Sequence, residues 1–215
     1  MIKISYKPLI ALALAVMMSL VAVSAAPTGD QGNTRYINSS GEINDSGKYL
    51  LMNDITGPII ITSDDVTFDG NGYCISGDSF GVYLIDCKGA TVRDTTISCQ
   101  LAGIVLQNAT NCMIEKNNVT GCYHGIALLC GSDENKIINN DVCNNNLGCY
   151  GGGGILALSC DCDGNKIHAN TVLDNGYWYF TSWWPDLEKE FVPNDISLDE
   201  EVNDISGNHV TPEEE

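Results

Sequence analysis

The sequence predicts an all-β chain: a single-stranded, right-handed parallel β-helix, or solenoid, with a hairpin capping its N-terminal end. Three observations predict it. An Asn-x-Ile-x-x-Asn-x-Val segment recurs as Asn135 to Val142, Asn165 to Val172 and Asn203 to Val210, with a degenerate copy at Cys112 to Val119 and a further fit at Val92 to Ile97. Each follows a second apolar segment: Gly81-Val82-Tyr83-Leu84, Gly103-Ile104-Val105-Leu106, Gly125-Ile126-Ala127-Leu128, Gly154-Ile155-Leu156-Ala157 and, more loosely, Asp195-Ile196-Ser197-Leu198. The spacing is 22 residues from Gly81 to Gly103 and 22 again to Gly125. A period of that length marks a repeat architecture, and two short alternating strands per repeat, parted by Asn, Gly and Thr turns, leave no room for a helix. Such strands bury their apolar sides only by winding into coils that stack in parallel, about 4.8 Å apart.

Stacking in this register assigns columns. Val92, Ile114, Ile137, Ile167 and Ile205 point inward in one, and Ile97, Val119, Val142, Val172 and Val210 in another. Asn117, Asn140, Asn170 and Asn208 form a third, in which side-chain amides one coil apart can hydrogen-bond along the axis. In chain order, residues 1–25 read as a secretory signal, with Lys3 and Lys7, an apolar run from Leu9 to Val23 and the small-residue site Val23-Ser24-Ala25. Residues 26–57 form a leader and an N-terminal cap, in which Gly41 to Ile43 and Lys48 to Met52 are the arms of a hairpin around Asn44-Asp45-Ser46-Gly47. That cap would cover the open edge of the first coil. The coils fill residues 58–172, beginning with Ile59-Ile60-Ile61, an aromatic insertion fills 173–193, and a final coil with an acidic tail fills 194–215.

Charge narrows the partners. Ten Lys and Arg face 28 Asp and Glu, a net charge of −18, and removal of the signal would take Lys3 and Lys7 and no acid. Nucleic acid is excluded as a partner, because phosphate backbones are held by clustered Lys and Arg and the only arginines are Arg35 and Arg93. No stretch after the signal approaches the length of a membrane span. Four sequons, at Asn38, Asn44, Asn108 and Asn118, are compatible with export.

Ten cysteines in an exported chain point to disulfides. The coil alignment makes Cys130 and Cys160 neighbours one rung apart, places Cys99 and Cys122 in the same turn of successive coils, and sets Cys143 and Cys149 on either side of one tight turn. One rung suits the Cα separation of a disulfide. Reduced cysteines stacked as small buried hydrophobes are the alternative.

The string Val66-Thr67-Phe68-Asp69-Gly70-Asn71-Gly72-Tyr73-Cys74-Ile75-Ser76-Gly77, followed by the two repeated segments, resembles the right-handed parallel β-helix repeat proteins of archaea. These are grouped with the periplasmic copper-binding, NosD-like family and with carbohydrate-binding and sugar-hydrolase β-helices. The resemblance covers roughly Lys48 to Val172 and one rung at the end, and it implies the fold. Chemistry is not carried by fold.

Catalytic constellations are poorly represented. Lyases on this fold need positive charge to hold a uronate, and Arg93 is the only arginine within the coils. Glycosidases need two carboxylates flanking one bond, whereas Asp69-Gly70-Asn71-Gly72 reads as a turn. Asp133, Asp163 and Glu201 recur four positions before the inward isoleucines, which stacks like charges; with Asp161 they form the candidate site for Ca²⁺, the cation such a column of oxygens would take. Copper would need converging imidazole or thioether ligands, and His124, His168 and His209 fall in three different columns. The insertion holds all three tryptophans, and Tyr177, Trp178, Trp183 and Trp184 are the candidate ligand-binding residues, since loops leaving a solenoid commonly carry its function.

The reading is therefore a secreted, non-catalytic β-helix protein of the cell surface or envelope that binds glycan or a cell-surface protein, or assembles, with an oligomer allowed. A carbohydrate-active enzyme and a disulfide-linked subunit of an outer layer are the alternatives.

Overall fold

The computed structural model describes residues 30–31, 34–146, 152–158, 161–180 and 189–212. Three long sheets carry these residues, and no helix occurs among them. Face 1 has nine strands, from Asp30–Gln31 at one end to Asp204–Ser206 at the other; face 2 has seven, from Ile55–Thr56 to His209–Val210; face 3 has seven, from Gly41–Ile43 to Ile196–Ser197. The chain visits them in the order 3, 1, 2, as in Phe80–Ile85, Thr91–Arg93 and Thr96–Cys99, and then returns to face 3 one rung on at Ala102–Gln107. All pairings between coils are parallel, which makes a parallel β-helix.

Each coil has three strands where the sequence predicts two. The Asn-x-Ile-x-x-Asn-x-Val segment bends sharply in its middle, so that Met113–Glu115 lies in face 1 and Asn118–Thr120 in face 2. A residue with positive φ makes the bend: Asp94, Lys116, Asn139 and Ala169 all lie between 51° and 55°, and Gly207 at 63°. Each immediately precedes the residue whose side chain turns inward at the corner. The other two corners use the same device, for example Glu134 before Asn135 and Asp174 before Asn175.

The inward columns have the predicted register. Val92 pairs with Ile114, Ile114 with Ile137, Ile137 with Ile167 and Ile167 with Ile205; Ile97, Val119, Val142, Val172 and Val210 align likewise. All are buried as far as Ile167 and Val172. In the last coil Ile205 is half-buried and Val210 is 41% exposed, because no further coil stacks on them among the described residues. Face 3 adds the column Val82, Ile104, Ile126, Ile155, Ile196, and its outward side chains Tyr83, Val105, Ala127 and Leu156 are buried too. Strands buried on both sides read as continuous apolar runs, which Gly103-Ile104-Val105-Leu106 does.

The predicted hairpin is placed differently. Gly41–Ile43 and Gly47–Leu51 do not pair with each other: the first lies in face 3, parallel to Ile59–Ile61, and the second in face 1, parallel to Thr34–Ile37 and Val66–Asp69. Both already belong to a coil, because Ile43 and Leu51 each have an inward neighbour to pack on, and the Asn44-to-Gly47 turn is a corner of that coil. Antiparallel pairing occurs one step earlier, where Asp30–Gln31 lies against Thr34 and Arg35 at the edge of face 1. The signal at 1–25 lies outside the described residues.

Candidate functional site

The corners are built first by asparagine. Asn117, Asn140, Asn170 and Asn208 form the predicted ladder at the corner from face 1 to face 2, with Nδ2 to Oδ1 distances of 3.0 Å at each step. Two further ladders were not read from the sequence. Asn135, Asn165 and Asn203 line the corner from face 3 to face 1, and Asn145, Asn175 and Asp195 the corner from face 2 to face 3. Most of these Nδ2 groups also donate to a backbone carbonyl, as Asn140 does to Ile114 O at 2.9 Å. Buried amides satisfied in this way fix the corners rigidly and leave the residues beside them to face solvent.

One groove is set on this frame. At the corner from face 1 to face 2, Asp69, Asn71, Asp94, Thr96, Lys116 and Asn118 line an open polar groove of about 470 Å³. Asp94 and Lys116 are the positive-φ corner residues, and Thr96 and Asn118 are opposed first residues of adjacent face 2 strands. Asp69 is held on both oxygens. Its Oδ2 accepts from Arg93 Nε at 3.0 Å and Nη2 at 2.8 Å, and its Oδ1 accepts from the Asn71 N–H at 2.9 Å. Arg93 Nε also lies 3.7 Å from Asp94 Oδ2, so one guanidinium braces two carboxylates. With Arg93 and Asp69 partly exposed, the pair adds little to stability and mainly fixes geometry. Asp69 so engaged is a brace, and the groove offers alternating acceptors, an ammonium, an amide and a hydroxyl, a set that matches sugar hydroxyls. Arg93 and Asp69 stand 24 residues apart, and no sequence motif joins them.

Face 2 runs from this groove to the aromatic insertion. Its outward residues Thr96, Ser98, Asn118, Thr120, Asp141 and Thr171 are polar and partly or fully exposed, interrupted by Cys74, Cys143 and Leu173 in the same columns. Beyond them the chain leaves the coil at Asn175. Gly176–Phe180 and Lys189–Pro193 pair as an antiparallel ribbon that rejoins the coil where Asn194 N–H donates to Asn175 O at 2.9 Å. Tyr177 is half-buried opposite Val192, and Trp178 stands opposite Phe191. Trp183 and Trp184 lie outside the described residues.

The acidic column is a correction. Asp133 and Asp163 are one rung apart as predicted, but Asp133 Oδ1 accepts a hydrogen bond from the Asp163 backbone N–H at 2.8 Å, so it caps the next coil. The Glu201 N–H donates to Asp199 Oδ1, and Asp161 is exposed beside the buried Cys162. Asp133, Asp161, Asp163 and Glu201 do not converge; among the described residues no three His, Cys, Asp or Glu side chains gather to hold a metal, and Ca²⁺ finds no support.

Cys99 and Cys122 are corner neighbours as predicted, yet both are free thiols. Each serves the corner as asparagine does elsewhere. The Cys99 N–H points at Cys122 Sγ at 3.3 Å, and the Cys122 N–H donates to Asn145 Oδ1 at 3.0 Å. Burial raises both thiols, to about 12 and about 11. Cys143 is half-buried with its thiol on Asp141 Oδ1, and Cys130 is exposed. Their predicted partners Cys149 and Cys160 lie outside the described residues. His124, weighed in the sequence only as a copper ligand, stands inside the coil wall. It is wholly buried, neither ring nitrogen has a hydrogen-bond partner, and burial lowers its pKa to about 4.

The coils, the polar face and the lateral ribbon together define a β-solenoid of the repeat-protein class, a rigid scaffold with its variable parts at the corners. Residues 23–184 match the family described as periplasmic copper-binding protein (NosD), and the chain belongs to that family. No curated protein and no solved structure matches the chain. Membership supports a place outside the cytoplasm, and no helix among the described residues is long and apolar enough to cross a membrane. The family description implies copper. The described residues do not fit it: His124 is enclosed, His168 Nδ1 lies 2.7 Å from Ser206 O, and His209 stands in another column.

Proposed function

We propose that this protein is a non-catalytic envelope module that binds a neutral glycan along face 2, between the groove at Asp94 and the ribbon bearing Tyr177 and Trp178. The observation that carries it is the groove itself, whose carboxylates are pre-positioned by Arg93 and opposed by Lys116 and Asn118. Rigid polar groups in the groove and aromatic residues on the ribbon further along face 2 offer the two contacts a sugar needs, hydrogen bonds to hydroxyls and stacking on a ring face. A net charge of −18 repels acidic polymers, which favours neutral ones. Trp183 and Trp184, which fall in sequence between the two ribbon strands, are proposed as contacts for the same glycan.

The test is a glycan-array screen of the exported protein, followed by calorimetry on its hits. Lys116→Ala and Asn118→Ala should each weaken binding about tenfold or more, with the melting temperature unchanged, and Trp183→Ala and Trp184→Ala should do likewise. Loss of stability without loss of affinity in the tryptophan variants would make the ribbon a structural cover. Release of new reducing ends from a bound polymer would make the protein an enzyme. Binding only to a protein fraction would refute the glycan.

A further inference from the structure

We infer that Asn38, Asn44 and Asn108 carry N-linked glycans. Each opens a sequon, Asn38-Ser39-Ser40, Asn44-Asp45-Ser46 and Asn108-Ala109-Thr110, as does Asn118 with Thr120. A sequon in so Asn-rich a chain means little until the fold sorts the asparagines. The fold sorts them sharply. The three corner ladders bury eight asparagines, Asn117 and Asn140 among them, and none of the eight stands in a sequon. All four sequon asparagines are exposed.

The separation has a physical basis. A ladder asparagine uses Oδ1 and Nδ2 to bind the coils on both sides, so a sugar on its nitrogen would prevent the next coil from stacking. At the exposed positions the nitrogen takes no part in a ladder, and the Asp86 carboxylate that Asn108 Nδ2 meets is itself exposed. Asn38 and Asn108 lie in bends or irregular segments at strand ends, and Asn44 and Asn108 both follow face 3 strands, on the corner leading into face 1. The groove is on a different corner, from face 1 to face 2. Glycans on Asn44 and Asn108 therefore leave the groove's own corner unmodified.

The chemistry balances with a lipid-pyrophosphate-linked oligosaccharide as donor. The Asn Nδ2 bonds to C1 of the first sugar, the C1–O bond to pyrophosphate breaks, the pyrophosphate leaves with the electron pair, and the amide releases one proton. One N–H remains on the nitrogen. In Asn108 that hydrogen can keep the existing bond to Asp86 Oδ1, which is 2.8 Å long, so the folded corner tolerates the sugar. The inference rests on the reading that the chain is exported, and not on glycan binding in the groove.

The experiment is peptide mass spectrometry of the full-length product purified from the cells that make it. Peptides containing Asn38, Asn44 and Asn108 should carry hexose or hexosamine mass increments. Thr110→Ala, which keeps Asn108 and removes its sequon, should lower the intact mass by one glycan while leaving the melting profile in place. Bare peptides at all three sites, in protein that has lost its leader, overturn the inference. Asn118 separates the two proposals: it lines the groove, so a glycan there refutes groove binding and supports modification, whereas a bare Asn118 beside three occupied sites supports both.

Discussion

Asn140 Oδ1 accepts two hydrogen bonds from Asn117, one from its backbone N–H and one from its Nδ2, each at 3.0 Å. Asn170 repeats the arrangement under Asn140, at 2.9 and 3.0 Å. Both groups of each bond are buried, so removing one acceptor strands two donors.

Asn140→Ala should therefore destabilise the protein by roughly 2–4 kcal/mol, the loss of a buried acceptor serving two donors. Lys136→Ala, at an exposed position of the same coil, should change stability by less than about 0.5 kcal/mol. Urea denaturation of both variants against the parent gives the comparison. Equal midpoints would mean that the ladder contributes nothing net.

Ala169 has φ 55°, a conformation that disfavours any side chain with a Cβ. Ala169→Gly should stabilise by up to about 1 kcal/mol, because relief of the strained corner exceeds the added freedom of the unfolded chain. For a chain of this size that corresponds to a rise of about 2–4 °C in Tm. Calorimetry should show the rise; a fall would place the strain elsewhere.

Two glycines should respond differently to alanine. A Cβ on Gly103 would clash with Val119 Cγ1 and lie 2.7 Å from Gly125 O, inside the wall between two coils. Gly103→Ala should cost about 1–3 kcal/mol or more by overpacking. Gly72, at φ 77°, has no atom within 4 Å of such a Cβ, so Gly72→Ala meets only backbone strain of about 1 kcal/mol. Chemical denaturation of the two variants should rank them in that order.

Acid should unfold the protein partly through His124. Its folded pKa of about 4 lies below the ordinary 6.5, so between those values the unfolded chain takes up a proton that the folded one refuses. Stability from this residue is full above pH 6.5 and falls toward pH 4, by roughly 3 kcal/mol over the window. Unfolding free energies at pH 7 and pH 4.5 should differ less in His124→Leu than in the parent. An unchanged difference would assign the acid sensitivity to the carboxylates.

The inward columns were legible because Ile114, Ile137 and Ile167 recur at one phase of the repeat, and burial follows phase. The three-strand coil was not. The column of Asn117 reads as a turn beside the inward residues, but the residue that bends the chain before it changes identity from coil to coil: Asp94, Lys116, Asn139, Ala169, Gly207. Positive φ is imposed there by the closure of the coil, and residue type records it only where Asn, Asp or Gly happens to stand. The ladder of Asn145, Asn175 and Asp195 was hidden for another reason. Segments of different length intervene, 30 residues and then 20, so no fixed period connects its members.

The cysteines show the same division. Spacing put Cys99 and Cys122 in one turn of adjacent coils, which the structure bears out, yet spacing is equally compatible with a disulfide and with two thiols in a corner stack. Only the side-chain directions chose between them.

By itself the sequence determined that this chain is a parallel β-helix, which residues point inward, and where an insertion interrupts the coil. These depend on period alone, because stacking in register is a translation that carries each residue onto its equivalent. The tertiary structure alone decided the groove, in which Arg93 reaches Asp69 across 24 residues, and the two further ladders at the other corners. Those follow from the direction of each corner side chain, which closure of the coil sets and no local pattern records.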